Sequence, residues 1–270
     1  MSPRLRWRTL TALLVLPMIA TPVAAENSAR AELPVEYFAG RKLAGDFDTM
    51  LERRFMRVLV TDNQMLYFVD RGRQGGLCYE FFKHFEDEIN RLRKNNRLRF
   101  HVVFIPVPRD QLIPKLVDGF GDVVAANMTV TPERAKRVDF SAPVIKGIDE
   151  IVVTGPQSPS IAGVEDLSNK EVFVRKSSSY YEHLVELNRE FATKGKPEVI
   201  LDVAPEELED EDLLEMVNAG LVGIVVVDSH IARFWSQVFD NIRIHEDVIV
   251  HKSGDVAWMM RKQSPKLKGA

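Results

Sequence analysis

From residue 57 onward, short apolar runs alternate with longer stretches whose apolar residues recur at helical spacing. Arg57-Val-Leu-Val-Thr reads as a strand, and residues 77 to 93 as an amphipathic helix with Leu77, Phe81, Phe85, Ile89 and Leu92 along one face. Residues 98 to 105 carry the next strand pattern. A helix through Leu112, Leu116 and Val117 ends near Gly119; Asp110 is a candidate cap, and Pro114 is tolerable only in the first turn. Residues 123 to 126 form a third strand. The resulting βαβαβ order predicts a parallel sheet flanked by helices, with ligands beyond the carboxyl ends of the strands.

After Ser141 the texture changes. Ile151-Val-Val-Thr leads into Gly155-Pro-Gln-Ser-Pro and a turn-rich stretch over residues 163 to 170, which reads as a crossing to a second lobe. The alternation then restarts, with strands at 171–175, 198–203 and 222–227 and helices at 178–193 and 210–219. Residues 247 to 250 read as the return crossing, and residues 256 to 260 as a strand rejoining the first lobe. The fold class expected is therefore α/β, with lobe 1 over residues 56–150 plus 252–270 and lobe 2 over residues 151–251. Two crossings imply a hinge, and the interlobe cleft becomes the expected binding site.

The ends and the composition narrow the setting. Residues 1 to 25 carry Arg4, Arg6 and Arg8, an apolar stretch over 10–20, and Thr-Pro-Val-Ala-Ala before Glu26, the pattern of a signal peptide cut near Ala25 for export to the periplasm. Residues 26 to 55 read as a polar, extended leader. The apolar stretch is short for a membrane span and no second one follows, so the mature chain is not expected to be membrane-spanning. No cysteine sits at the cleavage site to carry a lipid. Cys78 is the only cysteine, which excludes an internal disulfide. The formal net charge of −3 falls to −6 once the three leader arginines are removed, and nucleic acid is a poor partner for such a chain.

Candidate chemistry concentrates in Asn127 to Ser141. Thr131 can cap a helix, Pro132 suits its first position, and Arg134 lies one turn in, so free N–H groups and a guanidinium fork can converge on an anion. Read blandly, Thr-Pro-Glu is only a good cap and Arg134 a solvated charge. Asn127 and Thr129, at the same strand-to-helix junction, can add hydrogen bonds. On the second lobe, Asp228 follows an apolar strand and could take an ammonium, although an N-cap role is equally compatible. Ser177 and Ser178 open a helix and could reach the same carboxylate, or serve merely as caps. Tyr67 is a candidate aromatic wall, with core packing as the alternative, as it is for Phe68. Together these groups suit a small zwitterionic or peptide ligand.

Other constellations are weak. The six histidines show no metal-site spacing, and one cysteine cannot complete a site, so no metal is expected. Glu206, Glu207, Glu209, Asp210, Glu211 and Asp212 lack the glycine turn of a calcium loop and read as a solvated, dipole-favoured helix start. Gly72, Gly75 and Gly76 lack a phosphate-loop lysine. No cofactor and no catalytic set can be named.

The run Leu112-Ile-Pro-Lys-Leu-Val-Asp-Gly-Phe-Gly-Asp-Val-Val-Ala-Ala-Asn-Met-Thr-Val-Thr-Pro-Glu-Arg-Ala-Lys-Arg-Val-Asp-Phe-Ser resembles the family 3 periplasmic solute-binding proteins, the amino-acid receptors of ABC importers. The resemblance implies the periplasmic binding protein fold, Arg134 as the grip on a ligand carboxylate, Asp228 as the acceptor of the amine, and an ABC permease as a partner. Ser177-Ser-Ser-Tyr-Tyr-Glu, Leu208-Glu-Asp-Glu-Asp-Leu-Leu-Glu-Met-Val-Asn-Ala-Gly and Val227-Asp-Ser-His-Ile-Ala-Arg-Phe-Trp are similar to the N-terminal receptor-like module of the membrane-bound lytic murein transglycosylase F family. That likeness implies a lytic transglycosylase catalytic domain as the other partner and a regulatory role in cell-wall turnover. The chain stops at Ser264-Pro-Lys-Leu-Lys-Gly-Ala, whereas such a domain needs on the order of 100 further residues. A binding module is therefore expected, with a truncated transglycosylase acting on peptidoglycan as the alternative.

Overall fold

A computed structural model of the chain describes residues 35–93, 98–262 and 264–270. The signal peptide expected over residues 1 to 25 and the first part of the leader lie outside them. From Val35 on, the leader is not extended but forms two helices, α1 (Val35–Ala39) and α2 (Phe47–Arg53). Asp46 accounts for the second. Its carboxylate accepts from the Phe47 N–H at 2.7 Å and from the N–H groups of Lys266 and Leu267 at 2.8 and 2.9 Å, so one side chain both starts α2 and pins the C-terminal turn to it. Met50, fully buried, then joins the apolar cluster of Met56, Phe82 and Phe104.

The chain continues through β1 (Phe55–Val60), the hairpin β2 (Phe68–Asp70) and β3 (Arg73–Gly75), α3 (Leu77–Arg93), β4 (His101–Pro106) and α4 (Leu112–Val117). Next come β5 (Val123–Val124), α5 (Pro132–Arg137), β6 (Asp139–Phe140) and the long β7 (Ile145–Thr154). A second α/β series follows: β8 (Glu171–Arg175), α6 (Ser179–Thr193), β9 (Ile200–Ala204), α7 (Asp210–Asn218), β10 (Ile224–Asp228) and α8 (Ser229–Trp235). The fourteen-residue β11 (Arg243–Val256), then β12 (Met259–Met260) and α9 (Pro265–Lys268), close the chain.

Two five-stranded sheets result, ordered β4-β1-β5-β12-β6 and β11-β7-β10-β8-β9. β1 runs parallel to β4 and β5, and β8 runs parallel to β9 and β10, as the βα alternation requires. The interior strands β1 and β10 are buried almost end to end, as strands of a sheet covered on both faces are. β7 and β11 pair antiparallel over most of their lengths, with several register shifts. The lobe limits read from the sequence fall inside these two strands.

Two local expectations need correction. Asp110 caps nothing, because residues Arg109–Gln111 form a 3-10 turn ahead of α4. Helix α3 has the expected bounds but buries Cys78, Phe82 and Glu86, while Leu77, Phe81 and Leu92 are 63%, 46% and 61% exposed. Glu86 disguised the true face: its carboxylate accepts from the Val102 N–H at 2.6 Å and from Lys83 at 2.8 Å, so an acidic residue occupies a core position. Beneath the first lobe, Asp122 is gripped by Arg53, Arg57 and Arg261, all four being buried or nearly so. Arg57 also donates to the carbonyls of Leu43 and Gly119 at 3.2 and 2.9 Å, which ties the segment between α1 and α2 to the sheet. No helix among the described residues is long and apolar enough to cross a membrane.

Candidate functional site

Thr131 caps α5, accepting from the Arg134 N–H at 3.2 Å, with Pro132 in the first turn. The Arg134 side chain turns inward and is buried. Its guanidinium donates to the Thr129 carbonyl at 2.8 Å and, across the lobes, to the Ser177 carbonyl at 2.9 Å, while Nε lies 3.6 Å from a Glu182 oxygen. Burial holds its pKa below the usual arginine range; Glu182 opposes that effect and Arg109 adds to it.

Asp228 stands on the second lobe, at the end of β10. Although it occupies the N-cap position of α8, its carboxylate makes no capping bond and instead accepts from the Asn127 side-chain amide at 2.9 Å. Asn127 sits at φ 48°, in the left-handed region that asparagine tolerates better than most residues, and the turn there carries its amide across to Asp228. Asp228 is 1% exposed, and burial, followed by the charges of Asp210 and Glu150, pushes its pKa up to about 7. Its own N–H donates to the Tyr180 hydroxyl at 3.1 Å.

The remaining sequence candidates divide. The Ser177 N–H donates to Glu206 at 3.0 Å and its hydroxyl bonds the same carboxylate, so an internal acid already occupies both groups. Ser178 is a plain cap for α6, accepting from the Tyr181 N–H at 3.2 Å and donating to the Arg175 carbonyl at 2.7 Å. Thr129 contributes its carbonyl to Arg134 and is itself buried. Tyr67 stands in the core: it stacks on Phe104 with ring centroids 5.2 Å apart and donates its hydroxyl to Gln74 at 3.1 Å, and burial pushes its pKa up to about 12. The cause is a turn directly after β1, where the Asn63 carbonyl oxygen of the side chain accepts from the N–H groups of Met65 and Leu66 at 3.0 and 2.8 Å and folds Tyr67 back over the sheet.

The acidic run was misjudged most. Glu209, Asp210 and Glu211 are not solvated but 3%, 6% and 5% exposed. Glu209 forms an ion pair across the lobes with Arg109, whose Nη1 also donates to the Ala126 carbonyl at 2.9 Å. Asp210 pairs with Arg175 and accepts from the Tyr180 hydroxyl at 3.0 Å. Glu211 accepts from the Asn63 amide at 2.7 Å and the Gln64 N–H at 2.9 Å, and burial pushes its pKa up to about 7. The available signal was position: Arg109 and Asn63 follow strands β4 and β1 at the ends where ligands are expected.

A cavity of about 190 Å³ lies beside this seam, lined by Arg109, Met128, Arg134, Lys176, Ser177 and Glu182 among others. A larger open groove of about 500 Å³ runs between α5 and α6 and touches neither Arg134 nor Asp228, so it is not the convergence point of the polar groups. Among the described residues no group of three or more His, Cys, Asp or Glu stands where it could hold a metal ion. The arrangement offers recognition chemistry, a guanidinium on one lobe and a carboxylate on the other, each hydrogen-bonded to a group of the opposite lobe.

Two α/β lobes joined through paired strands, with polar groups meeting between them, define a two-lobed binding protein of the periplasmic receptor type. The profile of the bacterial extracellular solute-binding proteins, family 3, matches residues 57–270, and the chain belongs to that family. The chain is similar to membrane-bound lytic murein transglycosylase F of Pseudomonas putida KT2440, 27% identical over 197 residues, which is 72% of this chain and 37% of the relative. It thus spans little more than a third of the length of the curated relatives it matches first. Among solved structures it resembles the ancestral amino-acid-binding protein AncCDT-1, a precursor of cyclohexadienyl dehydratase, with TM-score 0.62 and 25% identity over 82% of this chain and 88% of that one. It also shares its fold with the amino-acid ABC transporter substrate-binding protein AbpA of Streptococcus pneumoniae, bound to L-arginine, with TM-score 0.67 and 19% identity over 83% and 88% of the two chains.

Proposed function

We propose that this protein is a periplasmic receptor for a small zwitterion, an amino acid, short peptide or muropeptide-like fragment, bound by closure of the two lobes about β7 and β11. Arg134 takes the ligand carboxylate and Asp228 its ammonium, with Asn127 and Thr129 beside them and Ser177 on the far wall. The observation that carries this reading is the opposition of Arg134 and Asp228: both are buried, they lie on different lobes, and each is held by the other lobe through Ser177 and Asn127. A ligand bearing both charges replaces those two internal partners with one bridging molecule, which stabilises the closed state. Family membership and the likeness to amino-acid-binding structures support the ligand class.

Residues 1 to 25 serve as the export signal, cut near Ala25. The likeness to lytic murein transglycosylase F supports a regulatory role in cell-wall turnover, with a transglycosylase catalytic domain as partner; service to an ABC permease is the other outcome that the family allows. Calorimetry of the purified protein with free amino acids and muropeptides tests the reading. Arg134→Ala is expected to weaken any ligand found by about thirtyfold or more, the cost of stranding a carboxylate without its guanidinium. Unchanged affinity would remove Arg134 from the site.

A further inference from the structure

The two lobes grip each other through their own side chains, and the contacts repeat one pattern. The three strands that pair in parallel in the first lobe each end in a turn that carries a donor: Asn63 and Gln64 after β1, Arg109 after β4 and Asn127 after β5. A carboxylate of the second lobe meets each of them, Glu211, Glu209 and Asp228 in that order. These strand ends are where an open α/β sheet receives a ligand.

Glu209 and Glu211 both come from the start of α7, which is anchored in the second lobe. Leu213, Leu214 and Val217 are buried in that lobe's core, and Asp210, between the two acids, turns back to Arg175 and to the Tyr180 hydroxyl. The Glu209 N–H donates to the Asp212 carboxylate at 2.7 Å, so Asp212 closes the helix start and the Glu209 side chain is left to cross the seam. There it accepts from Nε of Arg109 at 3.1 Å and also from Nη2, while Glu211 accepts from the Asn63 amide at 2.7 Å and the Gln64 N–H at 2.9 Å. Both acids and Arg109 are buried. A bidentate arginine–carboxylate pair is among the stronger polar contacts. All four bonds cross the seam, so all four act on one motion, the parting of the lobes, and losing one weakens the hold of the rest.

We propose that the start of α7 is a built-in latch, in which Glu209 and Glu211 clasp Arg109, Asn63 and Gln64 and close the lobes with no ligand needed. The chain's own carboxylates stand where the anionic part of a ligand is expected, and Glu206 adds to them by accepting from the N–H and hydroxyl of Ser177. The resting cleft is then closed rather than open. Whatever ligand it takes enters by exchange with these internal acids.

Amide hydrogen exchange and small-angle scattering test this on protein freed of small molecules by unfolding and refolding. The Gln64 N–H, whose acceptor lies on the other lobe, is expected to exchange about a hundredfold or more slower than an unstructured amide. Glu209→Ala leaves that acceptor in place, yet is expected to speed exchange at Gln64 by about tenfold or more and to enlarge the radius of gyration. A purely local ion pair leaves Gln64 unmoved, and that result overturns the latch. So does protection at Gln64 that appears in the wild-type protein only once a ligand is added, an outcome that leaves the receptor reading standing. Neither readout needs a ligand, so a failure to find one leaves the latch testable on its own. If Glu209→Ala shows no cooperative melt, Glu209→Gln, which keeps the side-chain volume and removes the charge, carries the same two readouts.

Discussion

Asp228→Asn should stabilise the ligand-free protein, and do so more as the pH rises. Asp228 has an ordinary pKa of 3.8, and burial, with Asp210 and Glu150 beside it, pushes it up to about 7 in the folded protein. Between those values the folded state holds a proton that the unfolded chain has released, so stability falls as pH rises from 3.8 and the full penalty is present above about 7. The span is about 3 pH units, and at about 1.4 kcal/mol each the carboxylate costs on the order of 4 kcal/mol at pH 8 but only ~1.5 kcal/mol at pH 5. An amide in its place never ionises, and its oxygen can still accept from the Asn127 side chain. For a body of this size, each kcal/mol moves the melting temperature by about 2–4 °C, so thermal unfolding followed by circular dichroism should show a gain of about 8–16 °C at pH 8 and about a third of that at pH 5. A gain of equal size at both pH values, or a loss at pH 8, would refute the argument, because then the ionised carboxylate is not the source of the strain. On the proposed function the same variant loses its ligand, a functional group kept at the expense of stability.

Two further outcomes follow from the buried charges and one from a helix cap. Burial alone would raise the pKa of Asp122, but Arg57 and Arg53 hold it below the usual range, so its contribution is present above pH 3.8 and is lost as pH falls below that; Asp122→Ala, which strands three arginines, should cost about 3–5 kcal/mol by urea titration at pH 7. Arg109→Met should destabilise by a similar ~3–5 kcal/mol because Glu209 is left buried without its cation, and adding Glu209→Met should recover most of the loss in a double-mutant cycle. Thr131→Ala removes the cap that sets the start of α5 and should cost about 1 kcal/mol of stability by the same titration, with no change in the pH dependence.

The regular elements were legible because their periodicity is local. Helix α3 and strand β8 have the bounds read from the apolar pattern, and the Thr131 cap with its inward arginine formed as its spacing predicts. The misreadings share one cause. Glu86, Glu209, Asp210 and Glu211 are acidic residues in buried positions, and a one-dimensional pattern assigns acids to water unless the partner is known. Those partners are distant in the chain: the Val102 N–H for Glu86, Arg109 for Glu209, Arg175 for Asp210, and Asn63 for Glu211. Tyr67 lies in the core for a shorter-range reason, the turn set by the Asn63 side chain.

By itself, then, the sequence determined two α/β lobes, their order and the helix cap at Thr131, since each follows from apolar period and local hydrogen bonding, while the family was legible only through the likeness of whole motifs. Only the tertiary structure decided which charges meet. It set Asp228 against Asn127 rather than on its own helix, turned Glu209 and Glu211 of the acidic run into contacts across the cleft, and left Glu150 beside Asp228 with one oxygen unanswered. Burying an ion is favourable or costly according to the group that faces it, and that group is chosen by packing between lobes rather than by neighbours in the chain.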